Sequence, residues 1–222
     1  MLFFIFLLGT SLGSFTYCYV LNWDQLSHFL KGRSRCDHCY HFLSISQLIP
    51  LFSYIYYHGR CKYCQKKVSF TYFLVELLSG FLLLISYIYL DSWALILMTY
   101  LLFTMSLMDL QFGLVSDLLQ VCLGLTCLYL HWSSTESFEL ILEKLVLAFF
   151  LMSLYFLFPS YIGGGDIKTL CILLYYFDLT SYNFILFTAS ALGLLVGWIF
   201  NRSSLPFLPF ISFASILALF LQ

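Results

Sequence analysis

The sequence predicts an all-α integral membrane protein, with about eight transmembrane helices and one cytoplasmic zinc-binding loop. Three observations carry this. Apolar residues make up 62% of the 222 and charged residues only 9%, where a soluble domain would carry about 25% charged residues. The apolar residues come in continuous runs rather than in alternation. In a bilayer every backbone polar group must be bonded within the chain, so continuous runs mean helices and exclude a barrel. Finally, the one large polar loop holds two Cys-x-x-Cys pairs.

A spanning helix needs roughly 20 mostly apolar residues. Candidate spans lie at 2–21, 73–90, 93–108, 114–130, 145–158, 167–177, 184–200 and 205–221. The fifth and sixth are short, and a sixth helix that spans only in part would lower the count to seven. The chain thus divides into a first transmembrane helix (1–21), a cytoplasmic four-cysteine loop (22–72) and a membrane-embedded body (73–222). No internal repeat or linker is evident. The first span lacks the basic segment that precedes the apolar core of a secretory signal, so it is read as a retained helix starting outside the cytoplasm.

Charge sets the orientation. Seven of the ten Lys and Arg residues fall in the loop: Lys31, Arg33, Arg35, Arg60, Lys62, Lys66 and Lys67. The positive-inside rule places that loop in the cytoplasm. With eight spans, Asp109, Asp117 and the 163–168 segment also reach the cytoplasmic face, as does Arg202, while the polar stretch 131–137 faces out. The exception is Lys144, expected to pair with Glu139 or Glu143 near the outer surface. Seven spans would break this agreement.

Cys36-Asp37-His38-Cys39 and Cys61-Lys62-Tyr63-Cys64 have the four-thiolate spacing of a structural zinc site. Each short turn offers two sulfurs, and the second pair completes a tetrahedron. A loop without a core of its own would draw much of its folding energy from the metal. The other reading, redox-active or disulfide-bonded pairs, conflicts with a reducing cytoplasm. Cys18, Cys122, Cys127 and Cys171 lie in apolar runs, as small buried residues do. His38, His41 and His58 are read as loop surface.

Ionisable groups within spans are costly and are functional suspects by default. Glu76, Asp109, Asp117 and Asp166 qualify. Asp109 ends the third span, and Asp166 follows Gly163-Gly164-Gly165 and opens the sixth. Two carboxylates at one depth would share a proton: the ionised one takes a proton from water and the protonated one polarises a peptide carbonyl, which is aspartyl-protease chemistry. The glycines let backbone approach closely. Structural readings stand beside this one: Asp166 as a helix N-cap, Asp109 and Asp117 as solvated turn residues, and Glu76 as a bond to a neighbouring helix.

At Gly163-Gly164-Gly165-Asp166-Ile167-Lys168 the chain resembles the type IV prepilin peptidases, membrane proteases with a Gly-x-Gly-Asp motif. Gly13-Ser14-Phe15, Arg33-Ser34-Arg35-Cys36 with Cys39, Ile49-Pro50-Leu51, Gly59-Arg60-Cys61 with Cys64, Val75-Glu76-Leu77-Leu78 and the Pro206-Phe207-Leu208-Pro209-Phe210 segment are similar to family motifs in the same order. The resemblance implies Asp109 and Asp166 as the catalytic pair, with Gly163, Gly164, Gly165, Lys168 and Asp117 in support. It implies cleavage of the basic leader of prepilins or pseudopilins at the cytoplasmic face of a bacterial membrane. It also implies that the new N-terminus is methylated with S-adenosylmethionine, with Gly59 and Glu76 as candidate positions for that activity. Membrane lipid is the expected surrounding; nucleic acid is not an expected partner. Ser116, Gln47 and Leu208 depart from the family pattern, and none is expected to touch the acid pair. Two other classes compete: a small proton- or ion-coupled transporter using the intramembrane carboxylates, and a non-catalytic zinc-bearing scaffold.

Overall fold

A computed structural model describes residues 1–25, 32–36, 38–132, 137–158, 163–201 and 205–221. Lys31, Asp37, Arg202 and most of the polar stretch 131–137, named above for charge or polarity, lie outside the described residues. Among those described, the chain is helical and forms no sheet beyond two isolated bridges. It divides into two compact units, Met1–Ile88 and Tyr89–Gln222.

In the first unit, α1 (Leu2–Leu21) and α4 (Phe70–Tyr89) flank a loop bearing two short helices, α2 (Ile45–Leu48) and α3 (Phe52–Tyr56). The long helices meet through small residues. A Cβ on Gly9 would lie 2.9 Å from the Cα of Gly80, and one on Gly13 2.5 Å from the Cβ of Ser79. Ser79 Oγ donates to the Gly9 carbonyl at 2.7 Å in a buried setting. Gly9 and Gly13 are four apart and so share one helix face. This is the small-residue packing by which helices associate in lipid, where apolar burial gives no drive. Gly13 of the Gly-Ser-Phe segment therefore has a packing reason to be glycine.

The second unit contains α5 (Trp93–Phe112), α6 (Asp117–His131), α7 (Phe138–Leu157), α8 (Gly164–Tyr176), α9 (Leu179–Phe200) and α10 (Leu208–Leu221). α10 packs on α5, α8 and α9, while α8 also packs on α6 and α7. Met98, Leu102, Met105, Met108, Leu173, Leu208 and Ile211 are fully buried where these helices meet.

Among the described residues, five helices are long and apolar enough to cross a membrane: α1, α4, α5, α7 and α9. With five membrane-length helices, the chain is a multi-pass membrane protein. α6, α8 and α10 have 15, 13 and 14 residues; at 1.5 Å per residue the shortest is about 20 Å long, less than a ~30 Å hydrocarbon core. The short fifth span is corrected: α7 runs 20 residues and begins seven earlier than the apolar run indicated. Glu139, Glu143 and Lys144 interrupt the run without ending the helix. Lys144 is buried, and its ammonium donates to the carbonyl of Tyr175 in the last turn of α8 at 3.4 Å, where a cation meets the negative end of the helix dipole.

Candidate functional site

In the second unit a cavity of about 310 Å³ is lined by Asp109, Gly113–Val115, Asp117, Gln120, Gly163–Asp166 and Lys168. Both acids singled out in the sequence face one space, and the glycine run forms part of its wall. Asp109 lies on the last turn of α5, one turn inside the helix rather than at its end. The helix closes at Gly113, whose φ of +63° admits glycine readily and whose N–H bonds the Asp109 carbonyl at 2.9 Å. The Asp109 side chain is buried. Its Oδ2 accepts the Leu208 N–H at 3.1 Å, at the first residue of α10, so a carboxylate sits at a helix N-terminus. One departure from the family pattern thus does reach the acid pair. It touches through a backbone N–H that leucine and glycine both carry, so the substitution preserves the contact.

Asp166 is the third residue of α8, and Gly163 rather than Asp166 occupies the N-cap position. The carboxylate folds back over that cap: a Cβ on Gly163 would sit 3.0 Å from Asp166 Oδ2. One on Gly165 would lie 3.2 Å from Val115 Cγ2, and one on Gly164 would lie 3.3 Å from the Tyr155 hydroxyl. Each outer glycine of Gly-x-Gly-Asp therefore has its own reason: Gly163 leaves room for the carboxylate and Gly165 for the wall behind it. Asp166 also lies within electrostatic reach of Asp109. At the cavity rim Lys168 Nζ pairs with Asp117 Oδ1 at 2.7 Å, with both side chains exposed.

Sequence reasoning passed over Gln120. It is buried in the cavity wall, and its Nε2 donates to the Gly165 carbonyl at 3.0 Å. A glutamine inside an apolar run, three residues after Asp117, was the available signal.

The first unit holds a second constellation. The Sγ atoms of Cys36, Cys39, Cys61 and Cys64 all lie within 4.8 Å of one another, and Cys36 and Cys64 are 3.9 Å apart. A tetrahedron of sulfurs at ~2.3 Å from a zinc ion has edges of about 3.8 Å. The cluster could hold a metal ion, and its donor set fits zinc. Its two halves are built alike, an internal repetition that the sequence reading did not detect. The Cys36 N–H bonds the His41 carbonyl at 3.0 Å and the Cys61 N–H bonds that of Lys66 at 3.0 Å. The Tyr40 N–H returns to Cys36 at 2.9 Å and the Gln65 N–H to Cys61 at 3.0 Å. Tyr40 and Gln65 have φ of 57° and 58°, and Arg35 bridges Phe42 as Arg60 bridges Lys67. Each half is a knuckle, and Cys61 follows Cys36 by 25 residues. Few identities repeat because backbone hydrogen bonds define the shape.

Burial raises the Cys61 thiol, but N–H groups of Cys64 and Tyr63 donate to its sulfur and bring it down to about 7. At Cys39 the His41 N–H pulls downward, while burial and the three neighbouring sulfurs outweigh it and carry the thiol up to about 11. Four sulfurs packed this closely cannot all ionise without a cation among them. Arg33, Arg35, Arg60 and Lys62 stand exposed around the cluster, and Arg33, Arg35 and Lys62 lie over the rings of Phe42, Tyr40 and Tyr63. His38, His41 and His58 are exposed, as expected of loop surface.

Gly59 and Glu76 also fall in this unit. Gly59 has a φ of +64°, and Tyr54 fills the space its Cβ would take, with ring carbon Cζ at 2.7 Å. Glu76 is buried and accepts the Leu51 N–H at 2.7 Å. Leu51 has a φ of +58°, so the carboxylate ties down a strained turn.

Residues 7–90 match the Bacterial Peptidase A24 N-terminal domain. A Type 4 prepilin-like proteins leader peptide-processing enzyme of Escherichia coli O78:H11 (strain H10407 / ETEC) is 31% identical over 206 residues, covering 86% of this chain and 76% of that protein. The chain belongs to the prepilin leader peptidase family. The Prepilin leader peptidase/N-methyltransferase of Bacillus subtilis (strain 168) is 27% identical over 231 residues, covering 98% of this chain and 93% of the relative. Its namesake from Dichelobacter nodosus is 29% identical over 207 residues, covering 86% and 71%. No solved structure matches the chain. The relatives' names describe enzymes, and none favours the transporter.

Proposed function

We propose that this prepilin peptidase is a membrane aspartic endopeptidase that cuts the basic leader from type IV prepilins or pseudopilins, with Asp109 and Asp166 as its catalytic pair. The observation that supports this most is that both carboxylates open into one cavity walled by the glycine run. With one proton between them, the ionised carboxylate takes a proton from a water molecule as its oxygen attacks the scissile carbonyl carbon. The protonated carboxyl gives its proton to the carbonyl oxygen. Collapse of the tetrahedral intermediate then breaks the C–N bond: the leaving amine takes a proton from one carboxyl while a hydroxyl of the intermediate returns its proton to the other, which restores the pair's single proton. Two acids at the end of a span would meet a substrate where its apolar stem leaves the bilayer. Nine of the ten basic residues, all but Lys144, favour a cytoplasmic four-cysteine loop (22–72) and an outside N-terminus, in the cell membrane of a bacterium, with lipid around the body (73–222).

Cys36, Cys39, Cys61 and Cys64 hold a structural zinc ion in this reading; the ion ties the two knuckles together and balances their thiolates. The relatives' names add N-methylation, which we extend to this chain with S-adenosylmethionine as methyl donor. That donor would supply an electrophilic methyl group to the newly exposed amine. Gly59 and Glu76 are the candidate positions for it; Tyr54 packs against Gly59 and Glu76 Oε2 accepts the Leu51 N–H, and no step is assigned to either.

The test is to reconstitute the chain in a membrane, add a prepilin-like substrate and read the product's mass and N-terminus. The expected product lacks the leader and carries one added methyl group. An intact substrate overturns the peptidase; a cut but unmethylated product confines the chain to peptidase work.

A further inference from the structure

The stretch between the two cysteine pairs has no part in the proposed hydrolysis and an uneven distribution of charge. Residues 40–59 contain no Asp, Glu, Lys or Arg. Arg33 and Arg35 precede them, Arg60, Lys62, Lys66 and Lys67 follow, and all six cations are exposed. Within the uncharged stretch, α2, α3 and the joint between them leave Ile45, Leu48, Ile49, Phe52, Ile55 and Tyr56 uncovered; Ile45 is 83% exposed and Ile55 65%. Exposed apolar side chains crowded into one short segment mark an interaction site. Contacts within the first unit fix its height. Gly9 lies against Leu83 and Gly13 against Val75, so α1 and α4 are antiparallel and residues 22–69 emerge from one face of the membrane. Glu76, six residues beyond the start of α4 at Phe70, accepts the Leu51 N–H at 2.7 Å. At 1.5 Å per residue that is about 9 Å inside the end of the helix. The Tyr54 ring packs on those of Phe70 and Phe73, with centroids 6.2 and 5.3 Å apart. The Leu51 turn and α3 are thus held beside the first turns of a membrane helix, not out beyond its end.

We infer that residues 45–56 are a membrane-docking segment: they lie in the headgroup layer of the bilayer, with their apolar side chains against the lipid tails and the flanking cations on anionic lipid phosphates. The charge pattern selects lipid as the occupant. An uncharged apolar centre with cations on both sides is complementary to acyl chains beneath a negatively charged surface. Arg33, Arg35 and Lys62 lie over the rings of Phe42, Tyr40 and Tyr63, and aromatic side chains favour the same interfacial level. Attachment at both ends to α1 and α4 makes the docking intramolecular, so it needs little affinity of its own. The inference goes beyond the peptidase reading and does not depend on it.

The experiment uses the full chain in vesicles of phosphatidylcholine, with or without phosphatidylglycerol, that contain a phospholipid bearing a diazirine high on its acyl chain. After irradiation, labelled peptides are mapped by mass spectrometry, and hydrogen exchange is followed in parallel. Residues 45–56 should take up label as the first turns of α4 do, and more of it when phosphatidylglycerol is present. Ile45→Glu combined with Ile55→Glu should abolish label in 45–56 and leave that in α1 and α4 unchanged. Changing Arg33, Arg35, Lys66 and Lys67 to Gln should remove the gain from phosphatidylglycerol. Label in α4 with none in 45–56 would overturn the inference. Protection of 45–56 from exchange without lipid label would overturn it too, since a protein surface would then cover the segment. Labelling indifferent to phosphatidylglycerol would overturn the role given to the cations. Label in α1 and α4 reports whether a variant has folded, and the wild-type map decides alone where one has not. Because the readout is lipid contact, a chain that cuts no prepilin fails the peptidase reading and leaves this inference standing.

Discussion

Each residue of the Gly163–Asp166 segment answers to a different neighbour. Gly163 lies under the Asp166 carboxylate, at 3.0 Å from where a Cβ would be. Gly163→Ala should therefore displace that carboxylate and cut kcat by about 10–100-fold, the scale on which small misplacements act. KM and detergent-solubilised stability should change little; steady-state kinetics beside a melting curve would show this. Asp117 and Lys168 differ in kind. Their ion pair is short but exposed, and such pairs contribute about 0–1 kcal/mol. Asp117→Asn should shift the melting midpoint by no more than a degree or two. Leu208 separates backbone from side chain. Leu208→Ala and Leu208→Pro both empty a buried site, but only proline removes the N–H that holds Asp109 Oδ2. The proline variant should lose far more activity than the alanine variant at matched stability.

Among the helices, the legible features were those set by composition, and the missed ones were set by contacts. Continuous apolar runs located every long helix, because a bilayer requires internal bonding of the backbone. The start of α7 was missed because Glu139, Glu143 and Lys144 look like the end of a span, whereas Lys144 is buried and bonded to the end of α8. The knuckles escaped as a repeat because their likeness lies in hydrogen bonds and in two residues of positive φ. The acid pair was legible through the glycines beside it, but Gln120 was not, since its partner is a carbonyl 45 residues away. Helix ends also carry a prediction. Asp178 caps α9, accepting the N–H groups of Thr180 and Ser181 at 3.1 and 3.3 Å. The Ser181 hydroxyl and these N–H groups hold its carboxyl below the usual range. Asp178→Ala should cost about 1 kcal/mol, measured by denaturation in detergent. A depressed pKa means this stabilisation is present at neutral pH and fades as the pH falls through the folded value, so the deficit should shrink in acid. In the first unit, Gly13→Leu would drive a side chain into Ser79. It should reduce folded yield sharply, whereas the same change at Gly124, which has open space around it, should not.

At the scale of the whole chain, the four-cysteine cluster could hold a metal ion that supplies what a small core does not. The four-cysteine loop has few buried apolar side chains among its described residues, so zinc should account for much of its order. Purified protein should carry one zinc per chain, and Cys36→Ser should lose it; protease sensitivity should then rise in the 32–69 region. Because protons compete for thiolates, zinc should also leave as the pH falls below neutrality. In the other unit, the proposed joint action of the two carboxylates is open to experiment. The deciding measurement is the mass of a prepilin-like substrate incubated with membrane-embedded wild type, Asp109→Asn and Asp166→Asn. The wild type should remove the leader, and each well-folded variant should lose activity by about 10⁴-fold or more. Cleavage at near wild-type rates by either variant would contradict that joint action.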